Sequence, residues 1–112
     1  FAEFGYSWLP NLLWRLDQNW RIFRKEVPWL KKEPSQYILE QCRFTTQPLE
    51  EPEKNKYLSQ IFEMIHAENT LIFSSDYPHW DFDEPDKTLT HLPKEVREKI
   101  FYQNAFDIYR FS

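Results

Sequence analysis

Asp76 is the side chain in this sequence best placed to do chemistry. It closes the run Leu71-Ile72-Phe73-Ser74-Ser75 and opens Tyr77-Pro78-His79-Trp80-Asp81. The first run has the apolar centre of a strand covered on both faces, and the second is polar and turn-forming. A carboxylate at the C-terminal mouth of a buried parallel strand is where α/β barrels set metal ligands and proton carriers. Asp-x-Pro also caps turns, so the residue pattern alone leaves both roles open. Glu3, at the mouth of the first expected strand, is a second candidate. It could act as general acid or base, or simply hydrogen-bond a neighbouring loop. His79 could contact substrate or orient Asp76, or it could be an ordinary loop histidine. Trp8, Trp80 and Tyr77 could wall an apolar substrate pocket, although rings of this kind more often pack. His66 and His91 receive no role. Cys42 has no histidine near it in sequence and reads as a structural thiol.

These residues need a scaffold, and the chain spells one out. Phe1 to Phe4 reads as a strand end, with Gly5 in the turn after it. Pro10 opens a helix, where its missing N–H costs nothing. Leu9, Leu12, Leu13, Leu16, Trp20 and Phe23 follow at helical spacing and should form its buried face, and Pro28 should end it. Ser35 is expected to cap a short helix through Leu39. Residues 42–46 are β-formers and predict a strand, followed by an acidic loop over 49–55. Tyr57, Leu58, Ile61, Phe62 and Ile65 predict an amphipathic helix that ends at Asn69. Residues 70–75 predict the next strand, 81–92 a polar loop, and Pro93 the start of a last helix reaching Tyr109. Alternation of this kind implies parallel strands with right-handed crossovers, here about three β/α units. A closed eight-unit barrel needs ~250 residues, so three units would leave two open sheet edges.

Composition narrows the function classes. The 112 residues suffice for one modest core. Eighteen acids against fourteen bases give a net charge of −4, which argues against nucleic acid. The basic residues Arg21, Arg24, Lys25, Lys31 and Lys32 are diluted by Glu26 and Glu33 and read as a solvated helix face. No apolar run approaches the ~20 residues of a membrane span, and no secretory leader is seen. A single cysteine suits a reducing, cytoplasmic setting. Aromatic residues make up 19% of the chain, with five Trp and ten Phe, and they need either a larger core or a partner to cover them.

Several motifs together resemble one family. They are Glu3-Phe4-Gly5-Tyr6-Ser7-Trp8-Leu9-Pro10, Arg15-Leu16-Asp17, Phe44-Thr45-Thr46-Gln47-Pro48, Ser74-Ser75-Asp76-Tyr77-Pro78-His79-Trp80-Asp81 and Asn104-Ala105. They resemble the C-terminal part of amidohydrolase-related proteins, more narrowly the branch of aminocarboxymuconate-semialdehyde decarboxylase. The resemblance implies that residues 1–112 are the last three β/α units, strands six to eight, of a metal-dependent (β/α)₈ TIM barrel. It implies a hydrolase or decarboxylase acting on a small-molecule substrate. Asp76 would be a ligand of a divalent metal, often zinc, or the base for the water that metal activates. The family's His-x-His pair and its further metal-binding histidine have no counterpart among His66, His79 and His91. Glu3 stands where the decarboxylase branch has a proton-transferring histidine, so that position does not carry the decarboxylation over. With Asp76 as sole ligand the chain should hold no tight zinc, because a catalytic site needs three protein donors. The competing reading is an aromatic-rich protein-interaction module without catalysis. The open edges also leave room for a homo-oligomer, or for assembly with a separate N-terminal piece.

Overall fold

The computed structural model describes residues 1–110; residues 111 and 112, the end of the expected barrel portion, lie outside the described residues. Helix α1 (Leu9–Phe23) carries Pro10 in its first turn and passes into a 3₁₀ turn at Arg24–Glu26. Helix α2 (Pro34–Gln41) leads to strand β1 (Phe44–Thr45). Helix α3 (Asn55–Met64) and the single turn α4 (Ala67–Thr70) lead to strand β2 (Leu71–Ile72). Helix α5 (Lys94–Glu98), a π-helical turn (Lys99–Gln103) and α6 (Asn104–Tyr109) then follow without a break.

β1 and β2 are parallel, with Phe44 opposite Leu71 and Thr45 opposite Ile72. Residues 1–3 run alongside β1 without joining the regular ladder. The Phe1 ammonium donates to the Arg43 carbonyl (2.8 Å), Thr45 N–H donates to the Phe1 carbonyl (3.0 Å), and Glu3 N–H donates to Thr45 Oγ1 (3.2 Å). Two of the three expected strands form, β1 and β2, parallel and in chain order, whereas residues 1–3 only run beside β1. Both strands are shorter than the β-formers suggest. Thr70 ends α4 instead of opening β2, because its hydroxyl bonds back to the carbonyls of Ile65 (2.8 Å) and His66 (3.2 Å).

Helix ends depart from the expected caps for local reasons. Pro34 stands at the first position of α2, with Glu33 as its cap. Ser35 instead donates its N–H to Asp17 Oδ1 (2.9 Å) and so ties α2 to α1. α3 ends at Met64, because His66 takes a left-handed conformation (φ 52°) and redirects the chain into α4.

The core is built of Tyr6, Leu9, Leu13, Phe44, Leu58, Phe62, Ile65, Ala67, Leu71, Leu89 and Ile100. Only the first half of the α1 stripe reaches it. Leu12 is 38% exposed and Phe23 is 51% exposed, while Leu16 and Trp20 are half-buried. The distal half of α1 runs past the two strands and packs chiefly on α2, which is too small to cover a full apolar stripe. The 81–92 loop is less polar in structure than in sequence. Thr88 and Leu89 are buried, and Arg97 donates from Nη2 to the carbonyls of Pro85 (3.2 Å) and Thr88 (3.3 Å). The basic cluster is spent locally: Arg21 pairs with Glu33, Lys32 with Glu40, and Arg24 lies over the Trp20 ring.

Candidate active-site mouth

β1 and β2 run the same way, so their C-terminal ends share one face. Beyond β2 the chain stays tied to β1 through side chains. Ser74 N–H donates to Thr46 Oγ1 (3.2 Å), and Gln47 N–H donates to Ser74 Oγ (3.3 Å). Thr46 and Gln47 are buried, so these bonds form out of water and hold the two strand ends in register. Four residues past the end of β2 the chain turns at Asp76, which has a φ of 59°. Asp tolerates this left-handed region better than most residues, and such strain collects at functional sites.

The loop that follows closes on itself. His79 N–H donates to the Asp76 carbonyl (2.9 Å), and Asp83 N–H returns to the Ser75 carbonyl (2.8 Å). Gln47 Nε2 reaches the Asp81 carbonyl (3.5 Å). This folding sets Asp76 Oδ2 2.8 Å from His79 Nδ1. Asp81 joins them, and one ligand-capable atom from each of the three lies within 4.8 Å of the others. The Asp76 side chain is the sheltered member, 21% exposed, while His79 and Asp81 face solvent. Two carboxylates and an imidazole are donors a divalent cation accepts, and three is the number a catalytic zinc needs from protein. The donor set fits a divalent ion. The structure sets Asp81 beside Asp76, the one ligand expected from the sequence, and its place five residues after Asp76 in a turn-rich run was the available signal.

The remaining predicted site residues fall in different places. Glu3 lies one strand over, beyond β1, with φ 61°, and its side chain is exposed and makes no hydrogen bond to Asp76 among the described residues. Trp8 donates Nε1–H to the Phe4 carbonyl (2.8 Å) and sets its ring edge-on to Phe44 (6.0 Å). Trp80 stands 93% exposed at the loop tip. Tyr77 packs edge-on against Phe82 (5.5 Å).

A residue that sequence reasoning missed anchors the turn between Glu3 and Trp8. Glu50 Oε2 accepts the backbone N–H groups of Tyr6 (3.1 Å) and Ser7 (2.8 Å), just after Gly5. Partial burial by itself raises the Glu50 carboxyl, but the bonds from Ser7 and Tyr6 outweigh it and hold the group below the usual carboxylate range. A depressed carboxylate stabilises the fold above its unfolded pKa, and that contribution fades as pH falls through the lower folded value. The Gly5–Ser7 turn should therefore stay anchored at pH 7 and loosen in acid, below the ordinary Glu value of ~4.3. Following the Ser7 amide by NMR checks this: its resonance should titrate with the Glu50 carboxyl and stay flat in Glu50→Gln. Nearby, burial, then Glu51 and Asp81, push the Asp83 carboxyl up. Burial pushes the Tyr6 phenol far above its usual range; hydrogen bonding with Glu50 pulls the other way, and the charges of Glu50, Asp83 and Glu51 add to the rise.

The family model of the amidohydrolases matches this chain over residues 1–111. The chain belongs to the amidohydrolase family. Among solved structures it is similar to 5-carboxyvanillate decarboxylase LigW from Sphingomonas paucimobilis, at 22% identity with a TM-score of 0.62. That match covers 96% of this chain and 33% of the decarboxylase, so the amidohydrolase chain spans about a third of that protein's length. At this identity the likeness is one of fold. Among curated proteins no match is found. The family fold is the TIM barrel, of which this amidohydrolase chain is a small α/β portion. Among the described residues no helix is long and apolar enough to cross a membrane.

Proposed function

We propose that this chain is the C-terminal part of a metal-dependent (β/α)₈ barrel enzyme, contributing strands six to eight, and that Asp76 works at its active-site mouth. The observation that carries the reading is the meeting of Asp76, His79 and Asp81 on the loop leaving β2, at the C-terminal end of a parallel strand. Family membership makes the parent an enzyme on a small-molecule substrate. The reaction in this reading is hydrolysis or decarboxylation, in the aminocarboxymuconate-semialdehyde decarboxylase-like branch of the family. Bound at this mouth, a divalent ion such as zinc would polarise a substrate oxygen and lower the pKa of water.

The chain's own residues supply the rest. Asp76 Oδ2 lies 2.8 Å from His79 Nδ1, which fixes its orientation in the loop. As a carboxylate it would ligate the ion or take and return a proton beside it. Asp81 offers a further oxygen donor from the same loop. Glu3, at the adjacent strand mouth, is the second proton carrier in this reading, and Trp8, Trp80 and His79 line the substrate side. The exposed rings of Trp14 and Trp29 are surfaces the rest of the barrel, or a second copy, would cover. They would equally serve an interaction module, which is the alternative reading.

Two measurements test this. The full-length parent should lose turnover on chelation and regain it with added divalent ion; full activity in excess chelator would sink the metal reading. The 112-residue chain titrated with Zn²⁺ should bind only weakly, since its three donors sit on one solvent-facing loop without the family's histidines. Stoichiometric sub-micromolar binding by monomeric chain would mean that this loop is a complete site in its own right.

A further inference from the structure

The end of the molecule away from Asp76 holds an unspent cation. Arg43 stands just before β1, and His66 and Asn69 lie at the start of α4 and within it, before β2. With Gln36, Leu39 and Glu40 of α2 they line a cleft of about 450 Å³ at the N-terminal ends of the strands. Catalytic groups of parallel α/β folds gather at the opposite, C-terminal ends, so this cleft stands apart from the chemistry of the mouth.

The Arg43 guanidinium is fixed but only partly used. Nη1 donates to the carbonyls of Cys42 (2.8 Å) and Glu40 (3.2 Å), which holds the group against the C-terminal end of α2. Nε is buried without a partner, and Nη2 makes no hydrogen bond among the described residues. Nε and Nη2 form one edge of the guanidinium, the edge that grips two oxygens of a carboxylate or phosphate side by side. Arg21 shows that edge at work, with Nε (2.8 Å) and Nη2 (2.6 Å) both on Glu33. A buried charged donor left unpaired is costly, and an acceptor that binds there removes the cost. Arg97 also has a buried, unpartnered Nε, but its Nη2 is spent on the Pro85 and Thr88 carbonyls and its guanidinium lies over the Phe101 ring. Of the two, only Arg43 keeps the whole edge.

The walls of the cleft suit an anion. Lys99 Nζ reaches Asn69 Oδ1 (3.3 Å) at one rim, and the exposed His66 imidazole has no hydrogen-bond partner among the described residues. Two carboxylates stand near, and both are engaged: Glu40 pairs with Lys32, and Glu68 Oε1 accepts Asn69 Nδ2 (3.2 Å). We propose that this cleft binds the phosphate or carboxylate group of a small metabolite, held by Arg43 Nε and Nη2 together, with His66 and Gln36 as further donors. The site is additional to the mouth and does not depend on the reaction proposed for it.

Titrating inorganic phosphate, and separately acetate, into the 112-residue chain at constant ionic strength tests it, with the Arg43 Nε–H and Asn69 side-chain amide resonances as the readout. A saturable shift with a Kd of about 1–10 mM is expected, and whichever anion binds tighter identifies the head group. Shifts that stay linear with concentration for both anions, or that chloride reproduces, overturn the proposal. Arg43→Lys keeps the charge but loses the two-donor edge, so it should weaken binding about tenfold; unchanged affinity would mean diffuse attraction and overturns it. Should Arg43→Lys fail to fold, the exposed Glu40→Gln decides. Removing that like charge should tighten binding about threefold, and equal or weaker binding overturns the proposal. The full-length parent should bind as the chain does. Loss of binding there would mean that another part of the protein occupies the Arg43 edge, which also overturns the proposal.

Discussion

In the full-length parent, Asp76→Asn should lower turnover about 10²–10⁴-fold while leaving KM little changed. The substitution keeps shape and a hydrogen-bonding oxygen, so the contact to His79 Nδ1 at 2.8 Å survives in outline. Charge and basicity are what disappear. A residue that merely capped the Asp76–His79 turn would tolerate the change, because the amide of Asn makes the same turn bonds and accepts the same left-handed φ of 59°. The two roles that the residue pattern left open thus predict different kinetics. Steady-state kinetics of the parent decide between them, and a variant retaining more than about a third of wild-type turnover would remove Asp76 from the chemistry.

Gly5→Ala should be the most damaging single methyl in the chain, at about 2–3 kcal/mol of folding stability. Two costs combine. Gly5 has φ 63°, where an added Cβ costs ~1 kcal/mol. That Cβ would also lie 2.8–3.0 Å from the Glu50 carboxylate atoms. A free glutamate would swing aside, but this one is held by the Tyr6 and Ser7 N–H groups, and moving it forfeits charge-assisted bonds of ~1–2 kcal/mol at a half-open site. Urea denaturation measures the loss. The companion Glu50→Ala should be sub-additive with Gly5→Ala, since the second change removes what the first one strikes. A cost below about 0.5 kcal/mol for Gly5→Ala would mean the anchor carries no strain.

Local periodicity and punctuation were enough to read the scaffold. The spacing of Leu9 and Leu13 and that of Leu58, Phe62 and Ile65 located α1 and α3 and their buried faces. Chain order gave the parallel pairing of β1 and β2. Each of these signals lies within a window of about ten residues, and backbone sterics and side-chain burial act over that range. The ends of elements were read less well. Ser35 serves Asp17 rather than its own helix, and Thr70 completes α4 rather than starting β2, since each found a partner that no local rule names.

The sequence by itself determined that this is an α/β chain with a carboxylate at a strand mouth and aromatic surface to spare. It also carried the family through the run from Ser74 to Asp81 and the distant Asn104-Ala105. Only the tertiary structure decided that Asp81 joins Asp76 and His79, that Glu50 pins the Gly5 turn across 44 intervening positions, and that Asn104 bonds the Leu71 carbonyl 33 residues back. The physical reason is the range of the interaction. Burial and backbone conformation are written in neighbours along the chain, whereas a carboxylate over two amides, or an amide on a strand carbonyl, exists only after distant segments have packed.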